Sequence, residues 1–151
     1  MRKISVLILV LAVAPFLLPS SGSVAQSGTT SFMAVLNTAQ EVPTPTVTGN
    51  PSGTASVVFD GTNVNFYLTV TDLSGPIAAA HFHNAPAGTA GGVVHTIPFF
   101  NGNSTFGTWT PSDAEPLTPE LVAALLAGNL YVNIHTAQNP AGEIRGQVTA
   151  N

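Results

Sequence analysis

The chain has four histidines, His81, His83, His95 and His135, and no cysteine. His81 and His83 stand one residue apart in Ala80-His81-Phe82-His83. If Pro76 to Asn84 is a β-strand, alternation puts Ile77, Ala79, His81 and His83 on one face and Ala78, Ala80 and Phe82 on the other. Two adjacent imidazoles can converge on one metal ion, with further ligands arriving from other strands. His135 and His95 are the candidates for those positions. Imidazole ligation without thiolate points to copper(II) first, because affinity peaks there in the divalent series, and to zinc(II) second. The competing role is structural: all four rings bonding to backbone or to Asn84, Asn133 and Thr136, pinning loops at one end of a sandwich.

The elements that must position these side chains are short strands. Phe32 to Thr38 alternates Phe32, Ala34 and Leu36 against Met33, Val35 and Asn37 and reads as the first strand. Gly53 to Asp60 and Asn63 to Thr71 flank Asp60-Gly61-Thr62, a tight-turn signal, and read as an antiparallel hairpin. Val93 to Phe99 follows a Gly- and Ala-rich connection and carries His95 on a face with Val93 and Ile97. Ser104 to Thr110 carries the one tryptophan, Trp109, opposite in facing to Phe106. In Asn129 to Thr136, Leu130, Val132 and Ile134 share one face and Tyr131, Asn133 and His135 the other. Glu143 to Thr149 completes a last hairpin with a dry face and a polar face. One helix is expected, from Pro119 to Ala127, with Thr118 as N-cap, Glu120 in the first turn and Gly128 at the C-terminal turn.

Residues 1–25 have the layout of a secretory leader: a basic Met1-Arg2-Lys3, an apolar run from Ile4 to Leu18, and Ser23-Val24-Ala25 as a cleavage site. The run is short of the roughly 20 apolar residues of a membrane span. A mature chain from Gln26 keeps Arg145 as its only basic residue against seven acidic ones, which leaves no footprint for phosphate backbones or anionic lipid. Nucleic acid is therefore excluded as a partner. Absence of cysteine excludes a disulfide framework. Residues 26–31 read as a flexible terminus and 32–151 as one domain.

Other charged groups suggest structural roles. Glu41 is the expected salt-bridge partner of Arg145, fixing a loop, and Asp113 and Glu115 fall in a Pro-flanked solvated turn. No nucleophile elbow, phosphate loop or HExxH helix is present.

Four stretches together, Glu41-Val42-Pro43, Ala80-His81-Phe82-His83-Asn84-Ala85-Pro86-Ala87-Gly88, Gly128 to Thr136 and Gly142-Glu143-Ile144-Arg145-Gly146-Gln147, resemble the CHRD domain, the chordin-type module of secreted proteins. The resemblance covers about the whole mature chain, in order. It implies an all-β immunoglobulin-like or superoxide-dismutase-like antiparallel β-sandwich (a Greek-key barrel) with one short α-helix. In the more distant likeness to copper/zinc superoxide dismutase, His81 and His83 resemble its paired copper ligands, His135 its third, and His95 its bridging imidazole. The zinc set and the disulfide cysteines of that enzyme are not matched. The expected function is an exported binding module, secreted or periplasmic, with copper or zinc at His81, His83, His135 and His95. The alternatives are a non-catalytic adhesion or protein-contact module and, third, a dismutase-like redox enzyme.

Overall fold

The computed structural model describes residues 28–98 and 100–151. The leader and its cleavage site lie outside the described residues, as does Phe99. Among the described residues, β1 (Thr30–Asn37), β2 (Ser52–Phe59), β3 (Val64–Thr71), β4 (Ile77–Asn84), β5 (Gly92–Thr96), β6 (Ser104–Trp109), β7 (Leu130–Thr136), β8 (Ile144–Gln147) and β9 (Thr149–Ala150) form one antiparallel, barrel-like sheet. Its order is β5-β4-β7-β8-β1-β2-β3-β6, with β9 pairing β1. The sheet is nearly closed, with β5 and β6 as its two edges.

Period-two alternation explains which side fills the barrel. Phe32, Ala34 and Leu36 of β1, Ala55 and Val57 of β2, and Val64, Phe66, Leu68 and Val70 of β3 all point inward and are buried. Phe82 stacks on Trp109 at 5.6 Å between centroids and meets Phe66 edge-on at 5.4 Å. Each such side chain contributes about 1.5–3 kcal/mol on leaving water. The β2–β3 turn is fixed by Asp60, whose Oδ1 accepts the Thr62 N–H at 2.9 Å and the Asn63 N–H at 2.7 Å. Gly61 there takes φ +96°, open to glycine without strain.

The helix α1 (Pro119–Leu126) forms as the sequence dictates. The Thr118 hydroxyl accepts the Leu121 N–H, Glu120 sits at the positive end, and Gly128 takes φ +71° to end it. It packs against β7 and β9 through Leu125, fully buried. No helix among the described residues is long and apolar enough to cross a membrane.

Three expectations need correction. Thr30 and Ser31, expected in a loose terminus, pair with Phe59 and Val58, because their backbone groups find ladder partners at the end of the hairpin. Strand β5 stops at Thr96, two residues before Pro98, which has no N–H to donate. The polar face of the last hairpin is not open to water: Tyr131, Asn133, Glu143 and Arg145 are all buried, with the β4–β5 connection over Tyr131 and Arg145 and the Ser74 and Asn139 turns against Glu143.

Candidate metal centre

Strands β4 and β7 pair so that His81 lies opposite Asn133, His83 opposite Tyr131, and Ala79 opposite His135. Cross-strand partners point to the same side, so the imidazoles of His81, His83 and His135 share the face turned away from Phe82. One ring nitrogen from each lies within 4.8 Å of the other two. His81 Nδ1 and His135 Nε2 are 3.1 Å apart. A tetrahedral ion with nitrogen ligands at about 2.0–2.1 Å needs ligand atoms about 3.4 Å apart. That pair is close to the required spacing, whereas a separation of up to 4.8 Å within the set has to close by up to about 1.4 Å for one ion to take all three.

Backbone carbonyls orient two of the rings. His83 Nδ1 lies 2.9 Å from the Gly91 oxygen and His135 Nδ1 lies 3.0 Å from the Pro140 oxygen. A carbonyl only accepts, so each Nδ1 carries the proton and each Nε2 turns its lone pair toward the cluster. This is the arrangement that metal-ligating histidines use to fix tautomer and direction. Asn133 Oδ1 lies 3.0 Å from both Nε2 atoms. Burial holds His81 and His135 below the usual imidazole range, helped for both by neighbouring imidazoles. Neutral rings are the form that ligates.

Beneath the cluster, His83 stacks on Tyr131 with ring planes 3° apart. Arg145 is 1 % exposed and donates to the carbonyls of Thr89 at 2.9 Å and Pro86 at 3.1 Å, and to Gln147 Oε1 at 3.2 Å. The expected Arg145–Glu41 salt bridge does not form. Among the described residues the one basic side-chain nitrogen within 4.0 Å of a carboxylate oxygen is His95 Nδ1, 3.9 Å from Glu115, and burial holds that ring toward its neutral form. The planar guanidinium takes instead the fork of loop carbonyls and the face of Tyr131.

A family model described as the CHRD domain matches residues 32–148. The chain belongs to the CHRD domain family. Membership suggests an extracellular binding module. No curated protein and no solved structure matches the chain.

In this CHRD domain His95 does not join the other three. It lies opposite Phe82 in the β4–β5 register, so it faces the core, stacked on Trp109 at 4.7 Å. Its Nδ1 is 3.9 Å from Glu115 Oε2. Glu115 lies in the solvated turn expected for it, its side chain 43 % exposed, and from there it also accepts the Thr96 N–H and ties its loop to the edge strand β5. The support given by Asn133 and Tyr131 could be read from their alternation with His135. The Gly91 and Pro140 carbonyls could not, because every residue has a carbonyl and only the fold aims it.

Proposed function

We propose that this protein is an exported extracellular binding module that holds one divalent cation, copper(II) first and zinc(II) second, at His81, His83 and His135. The observation that carries it is the convergence of three ring nitrogens within 4.8 Å, with two rings aimed by backbone carbonyls. The chain's own residues supply the binding: neutral imidazoles as donors, the Tyr131–Arg145 stack as their support, and a half-buried position that limits water. The 32–151 span acts as the functional domain, released by cleavage after Ala25. Intact-mass measurement of exported material tests the cleavage, with a chain beginning at Gln26 expected and an uncleaved chain contradicting it.

The test of the site is electron paramagnetic resonance of the copper(II)-loaded protein. Hyperfine splitting from coordinated imidazole nitrogens is expected, and its loss in a His81→Ala, His83→Ala double variant. A spectrum identical for both proteins would sink the site. A second reading, a protein-contact module with structural histidines, draws on the direct His81–His135 contact of 3.1 Å, which can be an ordinary hydrogen bond. In that case neither copper nor zinc binds specifically.

A further inference from the structure

Strands β1, β2, β3 and β6 lie side by side in the sheet, apart from the β4 and β7 that carry the histidine cluster. Their inward positions fill the core. Their outward positions are Ser, Thr, Asn, Val, Met, Tyr and Phe, with no charged residue and no histidine among them. Asp60 stands at the margin, where its carboxylate accepts from Asn65 Nδ2 at 3.3 Å. Met33, Ser56, Tyr67 and Phe106 form one register row across the four strands. Phe106 is 79 % exposed and Tyr67 50 %. With Met33 and Val35 they make four of the seven exposed large hydrophobic side chains among the described residues, so exposed apolar surface is gathered on this face, the mark of a contact site.

Neighbouring strands are about 4.8 Å apart, so the row from Met33 to Phe106 spans about 14 Å across the sheet. Hydroxyls flank it on both sides. Thr54 Oγ1 and Thr69 Oγ1 are 3.0 Å apart, and Thr108 Oγ1 donates to Asn65 Oδ1 at 2.8 Å. A threonine oxygen has two acceptor sites, so these oriented hydroxyls can still meet a ligand. The faces of Tyr67 and Phe106 are electron-rich, and a surface of C–H groups suits them. A pyranose ring offers that surface on its face and hydroxyls around its rim. An anionic polymer would find no cation here: Arg145, the one Lys or Arg among the described residues, is buried under the β4–β5 connection. An apolar protein surface would seal the hydroxyls of Thr54, Ser56 and Thr69 away from water, at a cost for each one left unpaired. A polyhydroxylated, uncharged ligand pairs them.

We propose that the outer face of β1, β2, β3 and β6 binds a neutral polysaccharide whose chain crosses the strands along the Met33–Ser56–Tyr67–Phe106 row. Tyr67 and Phe106 stack on sugar rings and Met33 covers a further ring. Thr54, Ser56 and Thr69 exchange hydrogen bonds with the sugar hydroxyls. Uncharged sugars are selected because nothing on the face compensates a charge. This binding goes beyond the cation reading and does not rest on it.

The test is an amide 1H–15N NMR titration with cellohexaose, chitohexaose, mannohexaose and laminarihexaose, beside anionic polygalacturonate. EDTA is present throughout, so the result is independent of the histidine cluster. At least one neutral oligosaccharide is expected to shift the signals of Ser56, Tyr67, Thr69 and Phe106, and polygalacturonate to leave them in place. Tyr67→Ala and Phe106→Ala should each weaken that binding about tenfold. Leu126→Ser, an equally exposed apolar position on α1, should stay within about twofold of wild type. No shift with any of the four neutral probes overturns the proposal, and so do shifts confined to other strands or equal binding of polygalacturonate. Shifts of the same signals with protein concentration alone would give the face to a second copy of the chain, which overturns it as well. Should either alanine variant not fold, the wild-type shift map decides.

Discussion

Tyr131 is held between His83 and Arg145: the His83 ring stacks on it at 4.7 Å, and the Arg145 guanidinium carbon lies 3.4 Å from its ring centroid. The stack joins the candidate site to the β4–β5 connection, because Arg145 also holds the carbonyls of Pro86 and Thr89. Tyr131→Ala removes the centre of the stack. A loss of about 3–4 kcal/mol is expected in urea unfolding, together with roughly tenfold weaker copper(II) binding through misplacement of His83. Unchanged stability would contradict the support assigned to this ring.

Arg145→Met keeps the volume and removes the fork of donors. Buried carbonyls of Pro86 and Thr89 then lose their partner, at about 1–3 kcal/mol each. Amide hydrogen exchange should accelerate in residues 86–91 before it does in β7. Uniform acceleration over the whole sheet would show that Arg145 supports the barrel and not the loop.

His95 is a core residue, packed on Trp109 and near Phe66 and Phe82. His95→Ala should cost about 2–3 kcal/mol through the cavity it leaves, while copper(II) affinity stays within twofold of wild type. A large loss of affinity with the fold intact would return His95 to the ligand set.

The pH dependence of stability separates Glu41 from the histidines. Glu41 has its folded value raised from 4.5 to about 7, so the folded state holds a proton the unfolded state has lost. Its contribution is full below about 4.5, falls between about 4.5 and 7, and is flat above. His81, His95 and His135 are shifted down by burial. Their contribution therefore runs the other way, present above about 6.5 and lost as pH falls. Glu41→Gln removes only the first effect. From pH 5.5 to 8 the full shift corresponds to about 2 kcal/mol, and with partial solvent screening the variant should gain about 1 kcal/mol on wild type in urea unfolding. Parallel curves would contradict the burial cost.

Much of this was legible because alternation is a strong local signal. Phe82 and Trp109 turn inward and Phe106 outward, as their spacing requires, and the Thr118-Pro119-Glu120 start and Gly128 end bound the helix. His81, His83 and His135 come together because strand faces, once paired, stack like residues. What spacing did not reveal is which face of one strand meets which face of the next: the position of His95 depends on its register against Phe82. The roles of Arg145 and Glu41 were hidden for a different reason. A lone arginine and a nearby glutamate suggest a pair, but carbonyls and a tyrosine ring compete for a guanidinium just as well once a loop closes over them.

The most direct test of the central claim is calorimetric titration of the protein with copper(II) and zinc(II) at pH 7.5, beside His81→Ala, His83→Ala and His135→Ala variants. One equivalent of copper(II) is expected to bind with a Kd of about 1 µM or tighter, zinc(II) more weakly. Loss of one ligand should weaken binding at least about tenfold and loss of two should remove it. Equally weak binding by wild type and all variants would contradict the account.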